Sequence, residues 1–350
     1  MRRHGKTRSL VTGACGFMGT HMVEVLAEAG HEIVATDLPD AYRADDKRRG
    51  RFPSVLRTLG VEFIPADLTQ ALPETLAALC KDVDYIFHVA SVFSYSAPWR
   101  LLKRVNVEGT RALLDQARDN PRLRRVVVWG AGGVYGLPDP DDLPLREDTS
   151  PPAPCNAYLR SKWLEEHLVM RYGLPYTILR PTTVYGPRAV YGGGQLLMSA
   201  ATMPVVAVPR NFTARIPFVH ARDVCRAALF LAEKEEANGE VYNLNDDSQL
   251  TTFAFFEFVA KVRGKKFVSL PPVPIETVRR VALKVADVAA FFSRLTGLSV
   301  SLERDSIEYL GRDFVYSNEK LKQTGFQFLY PDARDGIRDT LKWYELEGWI

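Results

Sequence analysis

Three glycines near the start of the chain constrain its fold more than any other feature. An apolar run that ends at Thr12 leads into Gly13, Gly16 and Gly19, and a segment with apolar residues at helical spacing follows. The pattern predicts a strand, a tight turn and a helix. The first glycine permits a backbone conformation closed to other residues, the second admits a diphosphate, and the third brings the helix against the strand. Because the free N–H groups at the start of the helix face the phosphates, the turn predicts a dinucleotide-binding site, with an ordinary tight turn as the alternative.

An acidic residue follows at the distance typical of such sites. Glu32–Thr36 is predicted as the second strand, and Asp37 ends it, 18 residues after Gly19. A carboxylate there would accept hydrogen bonds from the adenosine ribose and repel a 2′-phosphate, which favours NAD over NADP. A capping or turn aspartate is the alternative. The basic residues that follow form either a solvated loop or a contact for a 2′-phosphate: Arg43, Lys47, Arg48, Arg49 and Arg51.

The composition is typical of a globular protein and argues against several other classes. The 350 residues are 46% hydrophobic and 25% charged, with a net charge of +3 and no basic stripe, so no nucleic-acid partner is expected. No apolar run approaches the roughly 20 residues of a membrane span, and the N-terminus lacks a signal-peptide core. The four cysteines lie far apart, without metal-ligand spacing. We therefore expect a cytoplasmic protein with no metal site.

Strands and helices alternate through the first half of the chain. Continuous apolar strands between helices predict an α/β fold, a Rossmann-type doubly wound parallel sheet. Further strands are predicted at 61–64, 85–89, Arg125–Trp129 and 176–179, and helices at 105–117 and 158–172. After Pro181 the pattern becomes irregular, which predicts a smaller C-terminal substrate lobe over the carboxyl ends of the strands. We expect a dinucleotide-binding domain at 1–180, with part of 215–245 returning to the sheet, and a substrate-binding lobe mainly at 181–350.

Tyr158 and Lys162 are the expected catalytic residues. They lie four residues apart in a predicted helix, so their side chains share one face. An ammonium beside a phenol favours phenolate and lowers the tyrosine pKa. Tyr158 would then exchange a proton with an alcohol or carbonyl while nicotinamide takes or gives hydride, and Lys162 would also hold the nicotinamide ribose. An exposed tyrosine–lysine pair is the alternative, and the position after a dinucleotide turn favours catalysis.

Several further segments complete a family pattern. They are Asp67-Leu68, His88-Val89-Ala90, Asn106-Val107-Glu108-Gly109-Thr110, Val134-Tyr135-Gly136, 180–187 and 218–224. With the glycine turn, Asp37 and the Tyr158/Lys162 pair, they make the chain from about Arg8 to about Leu231 resemble the extended short-chain dehydrogenase/reductase family. The similarity is to its NAD-dependent epimerase/dehydratase and 3β-hydroxysteroid dehydrogenase-like branch. The resemblance implies an NAD-dependent oxidoreductase with a Rossmann fold.

The resemblance also implies which residues meet the cofactor. Asp67 and Leu68 would contact adenine, Val89 and Ala90 would line the phosphate and ribose path, and the 181–184 turn would lie near the nicotinamide. The expected cofactor-binding residues are Gly13, Gly16, Phe17, Met18, Gly19, Asp37, Asp67, Leu68, Val89, Ala90, Ser91, Asn106, Tyr158, Lys162, Pro181, Thr183 and Val184. His220 and Asp223 are expected to tie the small lobe to the sheet.

One departure from the family pattern stands out. The family ends its fifth strand with a Ser or Thr that binds the substrate oxygen beside the tyrosine, and this chain has Ala131 there. Losing one such donor costs ~10²–10³ in rate. Three explanations of the missing hydroxyl are open. Another donor takes its place, namely Thr182, Thr183, Ser91, Ser94 or water; the substrate needs only Tyr158; or the protein binds NAD with little turnover. The neighbouring Gly130, Gly132 and Gly133 would form a flat wall that leaves room for substrate.

The substrate is the property that the sequence constrains least. An apolar helical stripe flanked by basic residues runs from 278 to 295, formed by Val278, Val281, Ala282, Val285, Val288, Ala289, Phe292 and Leu295. It either packs on its own lobe, covers a bulky apolar substrate or contacts a membrane surface. We expect a secondary alcohol or ketone of a bulky apolar, sterol-like small molecule. The alternatives are a nucleotide-sugar epimerase/dehydratase, for which Arg210 or Arg215 would bind the diphosphate, and a slow or non-catalytic NAD-binding protein.

Expected substrate contacts and assembly follow from the same patterns. The substrate-side candidates are Ser94, Gly132, Gly133, Thr182 and Arg215. The resemblance implies a homodimer in which the helices 106–117 and 158–172 pair across a two-fold axis. The apolar surface expected for that contact comprises Leu113, Leu114, Ala117, Leu164, Leu168 and Val169.

Asp37 leads to a prediction about cofactor choice. We expect NAD(H) to bind roughly tenfold tighter than NADP(H) or better, about 1.4 kcal/mol, because the carboxylate bonds the ribose hydroxyls and repels a 2′-phosphate. Calorimetric titration with both cofactors measures the difference. Asp37→Ala should narrow it, and equal affinities in the parent protein would contradict the assignment.

Overall fold

Seven parallel strands form the central sheet of the protein. The computed structural model describes residues 6–149, 154–296 and 307–350, with side chains described up to residue 286 in the helix that ends at 296. The strands are β1 Arg8–Thr12, β2 Glu32–Thr36, β3 Glu62–Phe63, β4 Tyr85–His88, β5 Arg125–Trp129, β6 Tyr176–Pro181, β7 Thr183–Tyr185, β8 Val205–Pro209, β9 Phe218–His220, β10 Glu240–Leu244 and β11 Lys266–Leu270. In the central sheet they follow the order β10-β6-β5-β4-β1-β2-β3.

Helices cover both faces of this sheet and also build the smaller lobe. They are α1 Phe17–Glu28, α2 Pro53–Thr58, α3 Pro73–Cys80, α4 Trp99–Leu102, α5 Thr110–Ala117, α6 Ala157–Met170, α7 Gly193–Thr202, α8 Ala221–Ala232, α9 Thr252–Val262, α10 Ile275–Thr296, α11 Glu319–Gln323 and α12 Ala333–Leu346. Every residue of β4 and β5 is buried, as expected for parallel strands packed between two helical layers. The predicted doubly wound α/β fold is therefore confirmed.

The sheet has one strand that the sequence pattern did not single out. β10 pairs with β6 at the edge of the sheet, and the preceding helix α8 packs against α1. Its five residues mix polar and apolar types: Tyr242 and Leu244 are buried, whereas Glu240 is partly exposed. The strand therefore lacks the continuous apolar run that marks β4 and β5. The chain after β6 thus enters the smaller lobe and returns to complete the sheet.

The helix predicted at 105–117 starts earlier and changes type along its length. α4 runs without a break into Lys103–Gly109, which has π-helical hydrogen bonding, and then into α5. A π-helical turn is wider than an α-helical one and occurs often at functional sites. Here it carries Asn106, which is fully buried against the segment that follows β4.

The smaller lobe combines two short sheets with α7, α9 and α12. β8 pairs with β11, and β7 pairs with β9, both in parallel. The core of this lobe contains Tyr185, Leu197, Phe218, Phe255, Ile337 and Tyr344. Its chain segments lie above the carboxyl ends of the central strands, where they close one large cavity.

The apolar stripe predicted on 278–295 lies on α10. Val281 and Val285 are more than half exposed, Ala286 is buried, and Ala282 lies in the cavity wall. The side chains of Val288, Ala289, Phe292 and Leu295 lie outside the described residues. Among residues 6–149, 154–296 and 307–350, no helix has the length and apolar character needed to cross a membrane.

The apolar surface expected for a dimer is mostly internal. Leu113, Leu114, Ala117 and Val169 are buried in the protein's own core, where α3, α5 and α6 pack on one face of the sheet. Leu164 and Leu168 remain only partly exposed. The expectation that these side chains form a subunit contact was wrong for the buried four, because the sheet itself covers them. The homodimer remains a prediction.

Asp223 joins the C-terminal segment to the large domain. Its carboxylate, fully buried in the first turn of α8, accepts hydrogen bonds from the backbone N–H groups of Leu329 (2.6 Å) and Tyr330 (2.9 Å). Nearby, His220 caps α8 and packs against the Tyr330 ring at 4.4 Å. These contacts are all within the protein, and they explain why Asp223 occurs at this position.

We expect Asp223→Ala to lower the free energy of unfolding by about 2–3 kcal/mol, because two backbone N–H donors lose a buried, charged acceptor. Urea unfolding monitored by circular dichroism measures the change. Asp335→Ala is the matched control, since Asp335 is exposed and pairs with Arg338 on the surface, and it should cost at most about 0.5 kcal/mol. Equal losses in the two variants would contradict this assignment.

Candidate active site

The glycine turn between β1 and α1 has the geometry that its spacing predicts. Gly13 has φ +64°, and a Cβ added there would lie 2.8 Å from the Cα of Ala90. A Cβ on Gly19 would overlap the carbonyl oxygen of Gly13, so only glycine lets α1 pack this closely on the turn. The first N–H groups of α1 have no acceptor within the helix. They are therefore available to an anion in the adjacent cavity.

A cavity of about 1260 Å³ lies at the carboxyl ends of β1, β2, β4, β5 and β6. Its wall contains all of the expected cofactor-binding residues except Asn106. Of the expected substrate contacts, Gly132, Gly133, Thr182 and Arg215 also line it, whereas Ser94 does not. The fold thus brings together in one wall residues from both halves of the chain, from Thr12 to Tyr316.

Asn106 lies behind the cavity wall and supports it. Its side-chain oxygen accepts from the N–H of Val92 (2.8 Å), and its amide donates to the Val92 carbonyl and to Ser161 Oγ (2.9 Å). All of its hydrogen-bonding groups are engaged by the protein, so the structure gives Asn106 no direct cofactor contact. It instead ties the segment after β4 to α6.

Asp37 lies at the end of β2 with one backbone donor on each oxygen. Cys15 N–H donates to Oδ2 (3.0 Å) and Leu38 N–H to Oδ1 (2.7 Å). Each carboxylate oxygen can accept a second hydrogen bond, so two hydroxyls of a ribose can still bind. Burial raises the pKa of Asp37, while these two backbone bonds oppose the rise.

Two of the five basic residues after Asp37 also reach the cavity. Arg49 and Arg51 line the wall, and Arg51 pairs with Asp40 at 2.8 Å. Arg43, Lys47 and Arg48 surround a shallow surface depression instead. Because Arg51 already has a carboxylate partner, its charge is largely offset where a 2′-phosphate would lie.

Tyr158 and Lys162 project from the start of α6 into the cavity. Asn156 caps this helix by accepting the N–H of Leu159 (2.9 Å), which fixes the first turn. The Tyr158 ring is 6% exposed and packs edge-on against Phe93, with ring centroids 4.9 Å apart. Lys162 forms an ion pair with Glu165 at 2.5 Å.

The sequence predicted that Lys162 lowers the pKa of Tyr158, and the structure gives the opposite direction. Burial, with the nearby Tyr95, Glu165 and Tyr191, raises the pKa of Tyr158 well above its usual value. The lysine charge is neutralised by Glu165, which the sequence reasoning did not consider. Tyr158 is therefore held as a neutral phenol in the protein as described. The signal for Glu165 was its position seven residues after Tyr158, on the same helix face.

The wall beside Tyr158 lacks a hydroxyl at Ala131, and the four proposed substitutes differ in their contacts. Thr182 Oγ1 already donates to the Leu244 carbonyl (3.0 Å), and Ser94 lies in a turn outside the cavity wall, bonded to its neighbours. Thr183 lines the cavity with a partly exposed side chain. Ser91 lines the cavity, and its buried Oγ has no hydrogen-bond partner among the described residues.

The three glycines at positions 130, 132 and 133 do not leave room for substrate, contrary to the expectation from the sequence. A Cβ on Gly130 would overlap the Glu166 carboxylate, one on Gly132 would lie 2.9 Å from Thr182, and one on Gly133 would lie 2.8 Å from Leu159. The space that these glycines leave is therefore filled by the protein itself. They permit close packing behind the wall, although their backbones border the cavity.

The substrate side of the cavity is rich in aromatic rings. The rings in its wall are Phe93, Tyr95, Tyr158, Tyr191, Phe212, Phe256, Tyr309, Phe314 and Tyr316. Arg215 lies there too, but its guanidinium binds both oxygens of Asp313, at 3.1 and 2.7 Å. Arg210 is exposed and lies outside the wall. Sequence reasoning missed these rings because they come from segments with no shared pattern.

Comparison with known proteins identifies the family of the chain. The family model described as the NAD dependent epimerase/dehydratase family matches residues 9–244. The chain belongs to this family. It is 27% identical over 260 residues to a UDP-N-acetyl-alpha-D-glucosaminuronate decarboxylase of Bacillus cytotoxicus, which covers 70% of this chain and 76% of that protein.

Two solved structures show the same fold. The UDP-glucose 4-epimerase of Thermotoga maritima matches with a TM-score of 0.72 at 21% identity, covering 97% of this chain and 99% of that one. The UDP-glucose 4-epimerase of Thermus thermophilus, solved in complex with NAD, matches with a TM-score of 0.66 at 24% identity over 97% and 99% of the two chains.

Proposed function

We propose that the protein uses NAD to oxidise and reduce a carbinol carbon of a nucleotide sugar, with Tyr158 as the proton donor and acceptor. The observation that carries this proposal is the place of Tyr158 and Lys162, which lie in the wall of the cavity that the glycine turn borders. The relatives are named as enzymes of nucleotide sugars, so the nucleotide-sugar alternative fits the comparisons better than the sterol-like substrate expected from the sequence.

The residues present fit a bound dinucleotide. Gly13 and Gly19 leave space that any side chain would fill, and Asp37 keeps acceptor capacity on both oxygens. Thr36 Oγ1 and Ser91 Oγ are buried in the cavity wall without partners among the described residues. Gly13, Gly16 and Gly19 would hold the diphosphate and Asp37 the adenosine ribose. When bound, NAD supplies a hydride acceptor and donor.

The chain's own residues would manage the proton. Oxidation of a sugar hydroxyl releases one proton, which the ionised form of Tyr158, positioned in the wall, would accept; the neutral phenol formed in this way would return the proton in the reduction. Lys162 would orient the reacting group or the ribose beside it. The aromatic rings around Tyr158 exclude water, which strengthens each charge interaction within the site.

A second candidate is favoured by the substrate side of the cavity. Arg215, the cationic group that would bind a substrate diphosphate, is already paired with Asp313, and the surrounding wall is largely aromatic. This chemistry suits a bulky apolar alcohol or ketone. Calorimetric titration of the NAD-loaded protein with UDP and with apolar ketones separates the two, because a nucleotide-sugar enzyme should bind UDP on its own.

We expect Tyr158→Phe to abolish hydride transfer while leaving NAD affinity nearly unchanged, since only the proton carrier is lost. Lys162→Ala should reduce both turnover and NAD affinity. Isotopic hydride exchange between NADH and candidate ketones, together with calorimetry, measures these effects. Full activity in Tyr158→Phe would overturn the mechanism, and no exchange in the parent protein with any candidate would favour a non-catalytic NAD-binding protein.

We also infer that Ser91 supplies the hydroxyl that Ala131 lacks. Ser91→Ala should lower kcat by about 10²–10³, because one hydrogen-bond donor to the reacting oxygen is removed. Ala131→Ser in the same protein should restore most of the rate by returning the donor to the family's position. Ser269→Ala is the matched control, since Ser269 is exposed on β11. Unchanged turnover in Ser91→Ala would rule out this role.

A further inference from the structure

A buried carboxylate faces the proposed catalytic pair from its own helix. Tyr158, Lys162 and Glu165 follow one another at positions i, i+4 and i+7 of α6, which places their side chains on one face. Glu165 is 1% exposed, and its Oε2 lies 2.5 Å from Lys162 Nζ. A buried carboxylate beside a buried ammonium is costly to desolvate, so its presence calls for an explanation.

The other groups around Glu165 are neutral or already paired. Thr110 Oγ1 lies 3.3 Å from Glu165 Oε1 and donates to the Asn106 carbonyl (2.7 Å), while His88 Nε2 lies 3.7 Å from Oε1. Glu166, the next residue, faces the other way and binds Arg180 through two guanidinium nitrogens. Lys162 is thus the cationic partner of Glu165 among these neighbours.

His88 cannot act as a second cation here. Ala90 N–H donates to Thr12 Oγ1 (3.1 Å), so the Thr12 hydroxyl proton is free to donate to His88 Nδ1 (2.8 Å). His88 Nε2–H then donates to Thr110 Oγ1 (2.8 Å), which is a complete set of bonds for a neutral imidazole. Burial, with the Lys162 charge, lowers the pKa of His88 to about 3.

We propose that Glu165 is a positioning residue that neutralises the Lys162 ammonium and thereby sets the pH at which Tyr158 gives up its proton. An isolated ammonium next to a phenol would promote phenolate, whereas an ammonium bound by a carboxylate does so much less. With Glu165 ionised, Tyr158 remains a neutral phenol and a proton donor. When Glu165 is protonated, the charge of Lys162 acts on Tyr158 without opposition. The inference rests on the proposed function only for the role of Tyr158 in turnover.

The charge of Glu165 is poised to change near neutral pH. Burial raises its pKa to about 7, although Lys162 and the Thr110 hydroxyl oppose that rise and Glu166 adds to it. The groups that face Tyr158 itself are Tyr95, Tyr191 and Glu165, each of which raises its pKa. Of these, only Glu165 ionises below the range in which tyrosines titrate.

The decisive experiment needs neither cofactor nor substrate. The alkaline titration of tyrosinate absorbance is recorded for each protein and for the same protein with Tyr158→Phe, so that the difference isolates Tyr158. In Glu165→Gln the Tyr158 titration should move down by about one pH unit or more relative to the parent. Glu108→Gln is the control, because Glu108 also pairs with a lysine (Lys103, 3.1 Å) but is exposed and lies outside the cavity wall, and it should leave the titration in place.

The proposal would be overturned if the midpoint of the Tyr158 titration in Glu165→Gln lay at or above the midpoint in the parent protein. It would also be overturned if neither protein showed a Tyr158 titration before alkaline unfolding. If Glu165→Gln does not fold, Glu165→Met removes the same charge with similar volume and carries the same expectation. Where a substrate is turned over, the rates of parent and Glu165→Gln should converge below about pH 7 and diverge above it. If no substrate is found, the proposed function fails while the absorbance titration still decides the role of Glu165.

Discussion

The buried ion pair between Glu166 and Arg180 is the contact on which the site depends. Arg180 leaves β6 with its Nε and Nη2 on the Glu166 carboxylate, and its Nη1 donates to the Tyr135 hydroxyl at 2.8 Å. Tyr135 in turn donates to Asn243 on β10 (2.8 Å). One chain of charge-assisted bonds therefore links α6, two strands and the turn after β5. Because both partners of the pair are buried, a shift of α6 would leave a buried charge without its partner, which is strongly destabilising.

That constraint explains residues whose purpose is otherwise obscure. Gly130 lacks a side chain because the Glu166 carboxylate occupies the space, and Gly133 does so because Leu159 packs there. With α6 held in place by Glu166, the neighbouring face of the helix is free to carry chemistry. Tyr158, Lys162 and Glu165 lie on that face, and Asn106 ties it to the segment after β4 through Ser161. Adjacent glutamates thus serve different ends, one anchoring the helix and one facing the lysine.

The family of the chain and the side chains of its smaller lobe favour different classes of substrate. The large domain carries the glycine turn and Asp37 in the cavity wall, and its family includes proteins named as enzymes of nucleotide sugars. The smaller lobe presents aromatic rings and an arginine that Asp313 already neutralises. A diphosphate arriving there would have to compete with a bidentate carboxylate, which is the strongest geometry an arginine side chain makes. This competition is the physical reason that the substrate class cannot be carried over from the family without a binding measurement.

Local sequence patterns determined the fold and most of the cofactor side of the site. The glycine spacing, the Asp37 position and the alternation of strands and helices each depend on backbone geometry within a short segment, which a sequence displays directly. The family resemblance extended that prediction to residues such as Val89 and Pro181, which line the cavity as expected. Ala131 was likewise visible as a departure from a local pattern.

Contacts between distant segments were decided only by the tertiary structure. The packing behind Gly130, the hydrogen bonds of Asn106 and the pairing of Arg215 with Asp313 all depend on which side chains meet after folding. The burial of Leu113 and Val169 within the protein was also decided by the tertiary structure. An apolar helical stripe has the same sequence pattern whether a sheet or a second subunit covers it. The sequence therefore determined the fold class and the position of the glycine turn. The burial of Tyr158 was set by tertiary packing, because desolvation depends on three-dimensional neighbours, whereas the helical spacing of Tyr158, Lys162 and Glu165 is visible in the sequence.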